Sequence, residues 1–214
     1  MPAMPAMPAM PAADHAERPS RLDTVPDTWP DAGSGAPATL AVMPAAPDLD
    51  EPVHLAPYDP AWADAGRALV DRLAAALPVP AEVEHIGSTS VPGLDAKPVL
   101  DVQIGCAPGD TDAVVAAVRG LGFEHLGESG VPGRQYLRWR GERPANVHVV
   151  ALGGPLWADN LMFRDYLRAR PQAAARYADA KWEAVRAAGR LLAYSDRKAA
   201  TVAELMAEAR EFGG

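Results

Sequence analysis

His85-Ile86-Gly87-Ser88-Thr89-Ser90-Val91-Pro92-Gly93-Leu94-Asp95-Ala96-Lys97-Pro98-Val99-Leu100-Asp101-Val102-Gln103 is the stretch whose reading decides the fold. Val83 to Ile86 has the β-branched character of a short strand, and Pro98 to Gly105 reads as a second one, closed by Pro108-Gly109. Between them lie a Gly-Ser-Thr turn, a Pro-Gly turn and a lysine, more polar chemistry than a structural hairpin requires. Successive side chains of a strand point to opposite faces, so Leu100, Val102 and Ile104 share one face and Asp101 and Gln103 the other.

The same alternation extends downstream. Arg134 to Arg140 places Arg134, Tyr136, Arg138 and Arg140 together, opposite Leu137 and Trp139. Asn146 to Ala151 separates His148 from Val147 and Val149, with a polar turn at 141–144 joining the two strands. If these strands form one sheet with helices on its apolar face, one open face carries Asp101, Gln103, His148, Tyr136 and the arginines.

Helices complete the pattern. Asp59-Pro60 is a helix start, and Trp62, Ala65, Leu69, Leu73 and Ala76 recur at helical spacing up to the prolines at 78 and 80. Val114, Val115, Val118 and Leu121 predict a helix over 110–121. From Trp157 onward the chain reads as helical, with breaks near Pro171 and Gly189 and a last helix from about Ser195 to Phe212. The expected fold is α/β (α+β): a small mixed sheet, an N-terminal helix and a C-terminal helical layer.

Residues 1–51 differ in kind. Met-Pro-Ala repeats open the chain, and 11 of its 22 prolines fall within the first 52 residues, so backbone donors and bulky apolar groups are both scarce. A disordered Pro/Ala-rich acidic tail is expected over 1–51 and a folded domain over 52–214, with Met43 a candidate alternative start. Eight acids and two bases give the tail a charge of −6, which leaves 20 acids and 18 bases, −2, for the domain. A nearly neutral domain behind an acidic tail argues against a nucleic-acid partner. No apolar run suits a membrane helix and the tail lacks a targeting pattern, so a cytoplasmic protein is expected. The lone Cys106 is expected to be a small buried hydrophobe.

In the opening stretch, Gly87 leaves room for a ligand near the main chain, Ser88, Thr89 and Ser90 offer hydroxyls and amides, and Lys97 is a candidate for neutralising a phosphate. Asp101 could share a hard cation, Mg2+ or Mn2+, with the same phosphate. On pattern alone an ordinary connecting turn is an equal alternative. His85 is expected to cap backbone groups beside the turn, and His54 and His125 to be ordinary.

Together, 85–94 and Lys97-Pro98-Val99-Leu100-Asp101-Val102 resemble the GrpB family, a set of proteins with a predicted nucleotidyltransferase fold. The likeness continues in Val147-His148-Val149-Val150, in Phe163-Arg164-Asp165-Tyr166-Leu167-Arg168, in Tyr177 with Lys181 and in Tyr194 with Lys198. It implies kinship with DNA polymerase β-type nucleotidyltransferases, whose Gly-Ser turn precedes a strand with two acids two residues apart. Gly87-Ser88 matches the turn and Asp101 the first acid, but Gln103 stands where the second belongs and His148 where a later strand brings a third.

The resemblance makes Asp101 and His148 candidate catalytic and metal-binding residues. The candidate ligand-binding set is Gly87, Ser88, Thr89, Lys97, Gln103, Arg134, Tyr136, Arg138, Arg164 and Arg168, with Tyr166 a further candidate for closing over a ligand. Three uses of the polar face stay open: one metal on Asp101 and His148, binding of a nucleotide or phosphorylated small molecule without chemistry, or a transfer with His148 as base. Domains resembling this one also occur fused to dephospho-CoA kinase. That implies, as the alternative, an accessory domain with a protein partner, linked to coenzyme A metabolism.

Overall fold

Leu100-Asp101-Val102-Gln103-Ile104 builds the central strand β2 (Leu100–Cys106) of the computed structural model, which describes residues 50–213. Its neighbours are β1 (Ala81–Ile86), antiparallel, and β5 (Ala145–Ala151), parallel. β4 (Gln135–Trp139) pairs antiparallel with β5, and the two-residue β3 (Glu124–His125) with β4, giving the order β1-β2-β5-β4-β3 in one mixed sheet. This is the expected mixed α+β architecture. The short β3 escapes sequence reading because two residues carry no periodicity.

Register fixes the faces. Val102 lies beside Val147 and Ile104 beside Val149, and Val147 in turn faces Leu137 across β4. All five are buried, under α1 (Ala61–Ala76) and α2 (Thr111–Gly120). Leu69 and Leu73 of α1 and Val114 and Val118 of α2 are fully enclosed there, each worth about 1.5–3 kcal/mol of apolar burial. Asp59 opens α1 as expected, its Oδ1 accepting the Ala61 amide at 2.9 Å.

The opposite face bears Asp101, Gln103 and Gly105 of β2 beside Asn146, His148 and Val150 of β5. Part of it is roofed by α3 (Pro155–Ala169), which comes close because Gly105 has no side chain: a Cβ there would stand 2.7 Å from the Trp157 ring. Helices α4 (Pro171–Ala188) and α5 (Leu191–Gly213) form a second core with α3 around Leu167, Tyr177 and Leu205. The last helix starts at Leu191 rather than Ser195, directly after the left-handed Gly189 that ends α4.

The expected tail over 1–49 lies outside the described residues. Asp50 and Glu51, the last two residues of the expected 1–51 tail, are described and bond to the last helix and the residue before it. Asp50 accepts bonds from Arg190 Nε and the Leu192 amide, both 2.9 Å, and the Glu51 carbonyl accepts the Leu191 amide at 3.0 Å. Among the described residues no helix is long and apolar enough to cross a membrane. Cys106 is buried, as expected of it.

Candidate functional site

Gly87 takes φ 70°, ψ −172°, a conformation reserved for glycine, and turns the chain from β1 into the 3₁₀ turn Ser88–Ser90. Ser90 Oγ donates to the Gly87 carbonyl at 2.6 Å and closes that turn. Just beyond, Val91 and Leu94 plug into the helical core beside Leu167 and Tyr177. The turn is thereby held over Asp101, so close that a Cβ on Gly87 would lie 2.8 Å from Asp101 Oδ2.

His85 faces away from this site, under α1. A Cβ on Gly66 would stand 2.2 Å from the His85 ring, and Nε2 meets Thr89 Oγ1 at 3.0 Å. The ring supports the turn as expected, through a hydroxyl rather than backbone groups. Burial is the main reason its pKa is held at about 4, with Asp101 pulling upward and Arg168 and Arg164 downward. An unfolded histidine titrates near 6.5, so the neutral ring's contribution is complete above that pH and is lost as the pH falls to 4. The unfolding free energy from urea titrations should therefore drop by about 3 kcal/mol over this window, and a His85→Gln chain should lack that drop; equal pH profiles for the two would refute the assignment.

Asp101 is the centre of the open face. Its Oδ1 accepts Asn146 Nδ2 at 2.7 Å and lies 3.5 Å from His148 Nε2. Burial pushes its pKa up, but the hydrogen bond and charge of His148, the Lys97 charge and the Asn146 amide outweigh that and hold it at about 2. Arg134 Nη1 lies 3.5 Å from His148 Nδ1, so the imidazole sits between the guanidinium and the Asp101 carboxylate.

Two cavities of about 410 Å³ each open on either side of this group and share Ser88, Asp101, Arg134, His148 and Lys198 in their walls. The first lies between the sheet and the start of α5 and is also lined by Thr89, Lys97, Tyr136, Arg138, Arg140 and Asn146. Tyr136 donates to Asn146 Oδ1 at 2.7 Å and carries Arg134 stacked 5.0 Å above its ring. Arg134 also donates to the Glu128 and Ser129 carbonyls. Ser129, at φ 44°, is the sole non-glycine with positive φ among the described residues.

Three cations here are held by neutral acceptors: Arg134 by carbonyls, Lys198 by Tyr177 Oη at 3.2 Å, and Lys181 by Ser88 Oγ at 3.1 Å and the Asp95 carbonyl. Lys181 is 1% exposed, and burial above all, then Lys198, holds its pKa at about 7 against the pull of Asp95. Neither lysine's role was derived from the sequence. Lys181 does continue a helical stripe of Ala173, Tyr177 and Ala184, all buried, and that spacing could have exposed it.

Several expected contacts go elsewhere. Gln103 shares the face of Asp101 but is fully buried under α3: its Nε2 donates to the Trp157 carbonyl at 3.3 Å and its Oε1 accepts Asn160 Nδ2 at 2.9 Å. The residue that stands beside Asp101 is Asn146, two residues before His148 and thus legible by alternation, though missed. Arg138 lines the first cavity but is paired with Glu124 at 2.9 Å and Glu51 at 3.9 Å. Arg164 binds Glu84 and Asp165, both at 2.7 Å, and the His85 carbonyl. Arg168 clamps the Ser90 carbonyl at 2.8 and 3.0 Å and lines neither cavity, while Tyr166 is buried and donates to Glu208 at 2.7 Å. All three are engaged within the fold, and Arg164 also lines the second cavity.

A divalent cation fits this donor set poorly. Among the described residues no three His, Cys, Asp or Glu side chains converge, and Asp101 Oδ1 already accepts two donors. Mg2+ asks for near-octahedral oxygen ligation, whereas the groups around Asp101 include Lys97, Arg134 and Lys198. The surroundings suit an anion.

Residues 52–208 match the family model described as GrpB protein. The chain belongs to the GrpB family. A UPF0157 protein of Deinococcus radiodurans is 36% identical over 65% of this chain and 73% of its own. The glutamate-rich protein GrpB of Alkalihalophilus pseudofirmus is 26% identical over 47% of this chain and 62% of its own; other matches span as little as 29% of the relative. The crystal structure of conserved protein GrpB from Enterococcus faecalis superposes with a TM-score of 0.68 at 30% identity, covering 75% of this chain and 100% of that one. The five-stranded sheet and helical layer described above are thus those of a GrpB domain.

Proposed function

We propose that this GrpB domain binds a nucleotide or phosphorylated small molecule through its phosphate groups, in the cavity between the sheet and α5. The observation that carries this is the set of cations held by neutral acceptors, Arg134, Lys198 and, behind Ser88, Lys181. Half-buried cations whose hydrogen bonds go to neutral groups, with Asp101 nearby, keep charge to offer a ligand, and a phosphate oxygen is its natural complement. Ser88 and Thr89 add hydroxyls at the same wall. A nucleotidyltransferase-type ancestry agrees with the Gly87-Ser88 turn over Asp101, but two-metal transfer needs a pair of carboxylates. Here Asn146 occupies the neighbouring place, so the reading is of phosphate binding without metal-dependent transfer.

Inorganic tripolyphosphate should raise the melting temperature in a concentration-dependent way, and EDTA should leave the shift unchanged. Lys198→Met and Arg134→Met should each weaken binding about tenfold, ~1.4 kcal/mol. If tripolyphosphate and ATP both leave the melting temperature unmoved at millimolar concentration, the phosphate reading fails and the accessory role linked to a protein partner gains.

A further inference from the structure

The second cavity, also about 410 Å³ and within the size range of small-molecule sites, adds an apolar side of its own. Ile86, Val150, Leu156, Phe163 and Leu167 line it, apart from the shared Ser88, Asp101, Arg134, His148 and Lys198. The charge of Arg164, which also reaches it, is matched by Glu84 and Asp165.

One polar group on this wall has its direction fixed by the fold. The Trp157 carbonyl can only accept, so it orients Gln103 with Nε2 toward it and Oε1 away. That Oε1 in turn requires a donor, so Asn160 must present Nδ2 to it. Asn160 Oδ1, with no bond among the described residues, is the atom left to face the cavity that Asn160 lines. The sheet thus sets, through two amides in series, a hydrogen-bond acceptor beside the apolar side of this compartment.

We propose that this second cavity is a specificity subsite for a flat, uncharged heteroaromatic group bearing an N–H donor, carried by the same molecule whose phosphate lies in the first cavity. The inference rests on the phosphate reading for the placement of its other end. The five apolar side chains favour a group without charge, the shared boundary lets one molecule span both compartments, and Asn160 Oδ1 selects for the donor. A site built to accept a hydrogen bond rejects an analogue lacking the donor because its own polar group is left unpaired.

Calorimetric titrations of the full chain with ATP, purine riboside triphosphate, which lacks the 6-amino donor, tripolyphosphate and adenosine test it. ATP should bind at least tenfold tighter than tripolyphosphate, and about tenfold tighter than purine riboside triphosphate. Asn160→Leu should abolish the discrimination between the two nucleotides. Leu156→Trp, which fills the cavity from one turn of α3 before Asn160, should bring ATP down to the affinity of tripolyphosphate and leave tripolyphosphate unchanged. Equal wild-type affinities for ATP and tripolyphosphate would overturn the subsite while leaving phosphate binding intact, and equal affinities for the two nucleotides would overturn the donor selection. Binding of adenosine without tripolyphosphate would support the subsite and overturn the phosphate reading; no binding of any of the four would overturn both.

Discussion

Raising the pH from 7 to 10 is expected to stabilise the protein by roughly 4 kcal/mol, the difference between a lysine held at about 7 in the fold and one at its ordinary value in the unfolded chain. In this window the unfolded chain keeps the Lys181 proton and the folded one releases it, so stability rises with pH. The amine bonds to Ser88 Oγ and the Asp95 carbonyl and lies 4.6 Å from the Tyr177 ring, while burial and the Lys198 charge outweigh the pull of the Asp95 carboxylate. Urea unfolding of the wild type and Lys181→Met at pH 7, 8.5 and 10 checks this: the wild-type slope should be steep and the variant's nearly flat. Parallel slopes would show that Lys181 is charged in the fold. An anion bound in front of Ser88 should reverse the shift, so tripolyphosphate binding near pH 8 should take up a proton, read as a dependence of the calorimetric heat on buffer ionisation enthalpy.

Gly87→Ala should cost about 4 kcal/mol, combining a backbone conformation closed to alanine with a clash in a packed site. The added methyl would meet Asp101 Oδ2 at 2.8 Å and its Cβ at 2.9 Å, and so displace the carboxylate from Asn146 and His148. Gly93 provides the comparison. It too has positive φ, 78°, but nothing lies within 4 Å of an added Cβ, so Gly93→Ala should show the conformational part alone, about 1 kcal/mol. Urea midpoints of the two variants separate the terms, and equal losses would mean that Asp101 gives way freely. Tripolyphosphate binding should fall in Gly87→Ala and persist in Gly93→Ala.

How far this site could be read from the sequence depended on the range of the physics involved. Alternation along β2 and β5 is local, and it put Asp101 and His148 on one face correctly. The same rule put Gln103 there too, but a strand pattern says nothing of which half of a face a helix will cover. Trp157 lies over Gly105, some fifty residues back along the chain, and that packing is what buries Gln103. Repeated arginines on a helix look alike whether they meet solvent, ligand or protein. Only the tertiary fold brings Glu84 to Arg164 and the Ser90 carbonyl to Arg168. The contacts of Asp50 and Glu51 were out of reach for a related reason: both match the composition of what precedes them, and the residues that bind them, Arg190, Leu191, Leu192, Arg138 and Arg140, lie far away in sequence.

The walls of the cleft are assembled from distant parts of the chain: Ser88 meets Lys181 across 93 residues, Asp101 meets Asn146 across 45, and Arg140 meets Glu51 across 89. Contacts of such separation are reached late, after the loop-closure entropy of the intervening chain has been overcome. No contiguous fragment can hold the cleft, and partial unfolding that releases α4 and α5 removes Lys181, Lys198 and Tyr194 from it together. Ligand binding at this site is therefore a measure of the integrity of the whole domain, from its first described residues to its last helix.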